Sequence, residues 1–447
     1  MRFQYIHILF AWIMLSFFLF MPLANAVGLF SQIWSFPALG ETVTHGALDS
    51  VGPIVYLGSS VTFGFTNYVY AVNISNGIQI WQYNTSLPIN CVSHFYNDGN
   101  YFIAAGTGGS ATQVSKSYVF CFNLSNNAAL WQSVNLTSSV VSLGTAESYV
   151  STGEDVVAGL ENGTVVRLRG DTGNVLWSYP CNGTVFSISH LRNGSVIVGS
   201  RPAVGMGNIY CLEMDGSLRW VLEQNNRITL VKRFSDVNGD WEPDVIAIFY
   251  DNFVHVLNGL DKTEISPWPF SISGDYVKDL LCTEDYTGDG FPDIVCGTEN
   301  GDLVIINGQN ATLFRGPTRV SDLTVTYIRY MHFYENGITY LNKTLAISLL
   351  ELGPAYYIRG INASDLTVMK EYQVVEPAAP ARNLFNIGNF TSDFTGDLIF
   401  TANNIVYCIS GTEIIFSEFS SQIVLVIIVI LVWCLAIALR RERSQIN

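Results

Sequence analysis

The sequence predicts an all-β fold: an eight-bladed β-propeller with a C-terminal transmembrane helix, a seven-bladed ring being the alternative. One line recurs along the chain, as in "YVYAVNISNGIQIWQY", "YVFCFNLSNNAALWQS", "TVVRLRGDTGNVLWSY" and "NIYCLEMDGSLRWVL". Each copy is an alternating strand, a tight turn rich in Asn, Asp and Gly, and a second strand ending in Trp. The tryptophans Trp34, Trp81, Trp131, Trp177, Trp220 and Trp268 stand 43 to 50 residues apart, and another pair of short apolar runs precedes each hairpin. Four short strands in about 46 residues is the arithmetic of a propeller blade.

The elements follow in chain order. Residues 1–26 read as a secretory signal, with Arg2 before an apolar stretch, then Pro22 and the small-residue site Ala24-Asn25-Ala26. An uncleaved signal anchor is the alternative. The propeller ectodomain spans 27–418, and its isolated "SQIWSF" (31–36) is expected to join the last blade as its outermost strand, closing the ring and removing exposed edges. Whole units run from Thr42 to Phe416, the Trp position being held in the later copies by Phe314, Met369 and Ile415. Residues 419–439 contain the uncharged run Ile423 to Leu439, close to the roughly 20 apolar residues a spanning helix needs. Arg440, Arg441 and Arg443 follow in a short tail, 440–447, and by the positive-inside rule that tail is cytoplasmic. The expected topology is single-pass type I, at the cell surface or a secretory-pathway membrane, with the propeller exoplasmic.

Glycosylation signals agree with that orientation. Asn-x-Ser/Thr begins at Asn73, Asn84, Asn123, Asn135, Asn162, Asn182, Asn193, Asn310, Asn342, Asn362 and Asn389, though some of these asparagines are expected to serve turns instead. With 22 Lys and Arg against 37 Asp and Glu, the net charge of −15 repels phosphate backbones and excludes nucleic acid as a natural partner. The eight cysteines show no C-x-x-C spacing, so no zinc site is legible. Cys282 and Cys296 flank one loop on expected paired strands, either as a cross-strand disulfide or as small buried residues.

Two acidic loops carry the site chemistry. "DVNGDWEPDVIA" places oxygens at relative positions 1, 3, 5 and 9, from Asp236, Asn238, Asp240 and Asp244, with a backbone carbonyl near Glu242. "DYTGDGFPDIVCG" offers Asp285, Thr287, Asp289 and Asp293, with a carbonyl near Phe291. Calcium takes six to eight oxygens in a flexible cage, and alternate side chains of a tight loop can supply them. Both loops lack the glutamate an EF-hand carries at position 12, and both run into strands. The competing reading is that Asp, Asn and Gly merely shape the turn. "DFTGDLIF", 393–400, reads as a decayed third copy.

The Gly-x-x-x-Trp line of "TGNVLW" and "DGSLRW" resembles the tryptophan-docking repeat of quinoprotein, PQQ-like, β-propellers, whose Trp wedges between neighbouring blades. The two acidic loops resemble FG-GAP, integrin-α-type calcium loops. The combined resemblance covers nearly all of the ectodomain and implies the fold with structural Ca2+, while saying little about activity, since propellers host many functions. A PQQ-dependent dehydrogenase is the enzymatic alternative; against it, no adjacent Cys-Cys pair exists.

His45, His94, His190 and His332 fall near the ends of first strands, with Arg233 in the corresponding place of another unit. They form either a partial ring at the channel mouth that binds a metal or anion, or a duplicated structural hydrogen bond. The expected function is a non-catalytic scaffold holding a protein or glycan partner. A lumenal subunit of a membrane assembly complex is a second alternative.

Overall fold

The computed structural model describes residues 28–410 apart from 30, 39–41, 49–53, 61–66, 110–115, 125, 127, 151, 203–205, 273, 283–284, 321–324, 336–337, 351–355, 364, 375–381, 389–396 and 403–404. The expected signal (1–26), transmembrane helix (419–439) and tail (440–447) lie outside these residues, as do Asn389 and the first half, 393–396, of the decayed third loop. Among the described residues no helix is long and apolar enough to cross a membrane.

The described strands form eight sheets, seven of four strands and one of five. The third sheet shows the pattern: Val140–Glu147, Glu154–Leu160, Thr164–Leu168 and Val175–Pro180 run as an antiparallel meander in chain order. Its two middle strands are almost wholly buried and its fourth is largely exposed.

Strand periodicity explains why the middle strands are continuous apolar runs rather than alternating ones. Successive side chains point to opposite faces, and each face is covered by a different neighbour. Val156, Ala158 and Leu160 pack with second-sheet residues such as Phe95 and Cys121, whereas Val157 packs with fourth-sheet Val196 and Val198. Likewise Val245 and Ala247 face the fourth sheet while Ile246 and Ile248 face the sixth. A sheet hydrophobic on both faces is stable only between two others, so the repeat dictates a stacked series. The series returns on itself: the first strand of the eighth sheet, Arg382–Gly388, packs against that of the first, Thr42–Leu48.

The lone N-terminal strand behaves as the sequence suggests. Ser31–Pro37 pairs antiparallel with Ile405–Ser410, completing the eighth sheet as its outer strand, while Ile415, expected at the Trp position of the last copy, lies outside the described residues. Gly28–Leu29 adds an unforeseen parallel fifth strand to the seventh sheet, opposite Lys370 and Glu371.

Tryptophans tie the sheets together. Indole Nε1 of Trp34 donates to the Ile74 carbonyl (2.6 Å), Trp131 to Gly170 (2.9 Å), Trp177 to Met214 (2.9 Å) and Trp220 to Gly259 (3.0 Å), in each case reaching the last hairpin of the following sheet. Glycine is needed beneath the ring: Gly216 has φ +87°, and a Cβ there would come within 2.7 Å of the Trp177 ring. Gly77 stands in the same relation to Trp34. Thus Gly and Trp of one Gly-x-x-x-Trp line serve opposite neighbours. Trp268 is buried, yet its Nε1 has no partner among the described residues; Pro267 and Pro269 beside it lack N–H groups, and the fourth strand there shrinks to Phe270–Ser271.

Candidate metal-binding loops and an adjoining cavity

The acidic loops join first and second strands of adjacent sheets, the fifth (Ile228–Arg233 to Val245–Phe249) and sixth (Val277–Leu281 to Ile294–Thr298). Each folds round its first aspartate. Asp236 Oδ1 accepts the N–H groups of Gly239 (2.7 Å) and Asp240 (3.1 Å), and Oδ2 that of Trp241 (2.8 Å). Asp285 repeats this with Gly288 (2.6 Å), Asp289 (3.2 Å) and Gly290 (2.8 Å). The last aspartate closes the loop: Asp244 Oδ2 accepts from Val237 (2.7 Å) and Asp293 Oδ2 from Thr287 (2.6 Å). The middle aspartates, Asp240 and Asp289, accept from Nδ2 of turn residues Asn258 (2.7 Å) and Asn307 (2.5 Å).

Of the other residues expected in the loops, Asn238 Nδ2 donates to Asp240 Oδ2 (2.9 Å) and Thr287 Oγ1 to Asp293 Oδ1 (3.1 Å). The Phe291 N–H donates to Asp289 Oδ1 (2.9 Å). The Glu242 carboxylate pairs with Arg219 Nη1 (3.1 Å), which leaves its backbone for any role in the loop.

The electrostatics fit a hard cation. Asp244 is fully buried, and among the described residues its Oδ1 has no hydrogen-bond partner. Burial first, then the charges of Asp240 and Asp236, push its carboxyl up to about 7. In the second loop, carboxylate oxygens of Asp285, Asp289 and Asp293 lie within 4.8 Å of one another, a grouping the first loop does not make among the described residues. Burial raises the Asp293 carboxyl above its ordinary value. Asp285 sits below its own: burial opposes the charge, but three backbone N–H bonds outweigh it. An all-oxygen donor set with a buried, unsatisfied carboxylate oxygen suits calcium or a similar ion.

The loops differ at one position. Where the second has Gly290 (φ +88°), the first has Trp241, at φ +71° and 77% exposed. A bulky side chain in the left-handed region costs about 1–2 kcal/mol, and here the ring recovers little by burial.

The expected histidine ring divides. First strands of the first seven sheets carry a register irregularity near their start, for example between Cys91 and Ile89, Ser187 and Val185, and Leu230 and Ile228. Counted from it, His94, His190 and Arg233 occupy one equivalent position, as does Cys282 after Asp279. His45 lies at the irregularity itself and His332 within a second one between Met331 and Phe333, so neither shares that register. The irregularity is common to these strands, so what separates the two is their distance from it: His45 lies three residues nearer to it than His94 does, and His332 two residues farther. Two members do meet: Arg233 Nη1 lies 3.0 Å from His190 Nε2. Burial, then the Arg233 charge, lower the His190 pKa, favouring a neutral imidazole that accepts the guanidinium N–H.

Arg192, Arg233, Asp236, Trp241 and Cys282 line an open cavity of about 410 Å³ where loop ends of the fourth, fifth and sixth sheets meet. No single stretch of sequence announces it. Cys282 and Cys296 are separate thiols, and burial raises both. Among the glycosylation signals, Asn84, Asn135, Asn162, Asn182, Asn193 and Asn310 are exposed, while Asn73, Asn123 and Asn362 are half-buried. At Asn73, Asn84, Asn135, Asn162 and Asn310 the side-chain oxygen accepts the N–H of the signal's own Ser or Thr, which is the expected turn role. Asn342 lies in a strand whose side chains fall outside the described residues.

A family model described as outer membrane protein assembly factor BamB, of the PQQ-like repeat type, matches residues 115–248. No curated protein matches the chain. Among solved structures, BamB from Moraxella catarrhalis is similar at 15% identity and TM-score 0.54, covering 86% of this chain and 100% of its own. Sqt1 from Chaetomium thermophilum, solved bound to the N-terminus of the ribosomal protein L10, is similar at 14% identity and TM-score 0.63, covering 84% of this chain and 98% of its own. The C-terminal WD40 domain of Sif2 gives 11% identity and TM-score 0.60, covering 86% and 99%. At these identities the likeness shows the fold, a β-propeller.

Proposed function

We propose that this chain is a closed eight-bladed propeller, held on the exoplasmic side of a membrane by its C-terminal apolar segment, that serves as a non-catalytic scaffold for a protein or glycan partner. Two structural calcium ions stiffen its recognition face. The observation that carries the reading is Trp241. A large aromatic ring left 77% exposed at φ +71°, on a loop held by its own aspartates, costs stability without serving the core. Strain of that kind persists where it is used, and rigid exposed aromatics are the usual anchors of binding surfaces. The neighbours support a protein partner: Sqt1 is a propeller bound to a peptide terminus, and BamB is described as an assembly factor. That second likeness also favours the narrower version, a lumenal subunit of a membrane assembly complex.

Calcium acts here by neutralising clustered carboxylates and occupying the free Asp244 oxygen, with Asp236, Asn238, Asp240 and the Glu242 backbone in the first loop and Asp285, Thr287, Asp289, Asp293 and the Phe291 backbone in the second. The test is affinity capture of the full-length chain from its native membrane against a Trp241→Gly variant. Glycine accepts the backbone conformation, so the fold stays within about 1 kcal/mol of the parent. Loss of specific partners with Trp241→Gly supports the scaffold reading; an identical partner set removes it. In parallel, calcium chelation lowers the thermal midpoint by several degrees, and no shift ends the calcium assignment.

A further inference from the structure

The cavity beside the first acidic loop has a charge at odds with the molecule around it. The chain carries a net charge of −15, yet this cavity gathers Arg192 from the fourth sheet and Arg233 from the fifth, both exposed, with Trp241 beside them. We propose that this cavity binds a carboxylate-rich peptide segment of a partner protein, Arg192 and Arg233 pairing with its acidic side chains and Trp241 packing on its backbone, and that calcium in the adjoining loop strengthens the binding. The calcium part rests on the function proposed above.

A guanidinium presents a planar fork of donors matched to a carboxylate. His190 takes one Arg233 nitrogen at 3.0 Å and holds the group in place, leaving the rest of the fork for a ligand. Two cations on different sheets match two acidic side chains spaced along an extended peptide, whereas an acidic monosaccharide offers one carboxylate. The volume, about 410 Å³, suits a few side chains rather than a folded domain. Calcium enters through geometry: Asp236 is both a wall of the cavity and the acceptor of the Trp241 N–H at 2.8 Å. A cation bound to Asp236, Asp240 and Asp244 removes most of the repulsion an acidic ligand would meet and fixes the backbone that carries Trp241.

The experiment is fluorescence anisotropy of a dye-labelled hexaglutamate peptide titrated with the purified full-length chain, in calcium or in chelator. Terbium luminescence reports loop occupancy independently. Saturable binding is expected, about tenfold weaker in Arg192→Gln/Arg233→Gln and in Trp241→Gly, weakened several-fold by chelator and by salt, and absent with hexaglutamine. Arg192→Gln alone, at an exposed position, gives a partial loss should the double variant fail to fold. Undiminished binding by the arginine variants overturns the proposal, as does binding of a sialylated trisaccharide in place of the peptide. A terbium-loaded loop with no effect of calcium on affinity overturns the coupling, whereas a loop that takes no terbium fails the calcium reading itself and leaves the arginine result to decide the cavity. Partner capture that survives the arginine substitutions keeps the scaffold reading and sinks this inference.

Discussion

His255 sits between two carboxylates, its Nε2 3.1 Å from Asp251 and its Nδ1 3.0 Å from Glu264, with the Phe249 ring against it. Both nitrogens can donate only as an imidazolium. Burial works against that charge, but Glu264 and Asp251 outweigh it and raise the pKa above its ordinary value. Because the folded value exceeds the unfolded one of about 6.5, the stabilisation is fully present below that pH and fades as pH rises through the folded value. Urea unfolding should therefore show the cost of His255→Gln largest near pH 6 and falling as pH rises above it; a cost that grows with pH contradicts the assignment. Trp177 separates two contributions of another kind. Trp177→Phe keeps an aromatic wedge over Gly216 but loses the bond to Met214, an expected cost of about 1 kcal/mol, while Trp177→Ala loses both and costs roughly 3 kcal/mol. Equal costs would mean the ring contributes nothing beyond its N–H.

Between elements, a buried polar tie joins the third and fourth sheets. Arg167, on the third strand of the third sheet, is wholly buried and paired with buried Asp155 at 2.9 Å. Its other donors reach the Gly194 carbonyl at 2.8 Å, on the fourth sheet's first loop, and the Glu147 carbonyl. Asp155 Oδ1 also accepts the Gly170 N–H (3.1 Å), but Oδ2 takes its bond from the guanidinium, so Arg167→Met strands one oxygen of a buried carboxylate and removes the guanidinium from the Gly194 and Glu147 carbonyls. The expected cost is about 3–5 kcal/mol, read as a fall in the urea midpoint at unchanged slope. A loss under about 1 kcal/mol would mean that water replaces the guanidinium. The sequence shows Arg167 only as a charge in an otherwise apolar strand; Asp155 lies 12 residues before it, and its other acceptors, 20 and 27 residues away, carry no signal, being main-chain carbonyls.

For the whole molecule, the N-terminal strand is the closing piece. Ser31–Pro37 completes the eighth sheet, and Trp34 carries the bond to Ile74 in the first, so one short segment links the eighth sheet to the first. Deleting residues 28–37 leaves the edge of Ile405–Ser410 unpaired and is expected to lower the thermal midpoint by several degrees and promote association through that edge. A synthetic peptide of residues 28–37 added in trans should restore the midpoint. An unaltered melting profile in the truncated chain would show that closure lies elsewhere.

Much of this architecture is local and therefore legible in one dimension. Strand alternation, Asn/Gly turns and the recurring Trp fix the four-strand unit, and the two acidic loops are visible because their ligands fall at alternate positions of one short segment. Sequence by itself also determined that Ser31–Pro37 stands apart as a lone outer strand. Only the tertiary structure decided which distant groups meet. It placed Trp34 over Gly77, brought Arg233 to His190 while leaving His45 and His332 at other registers of their strands, and gathered loops of three sheets around one cavity. The reason is physical: a strand's pattern specifies which side chains share a face, while the partner of that face is set by packing between sheets, where a single inserted residue changes the answer.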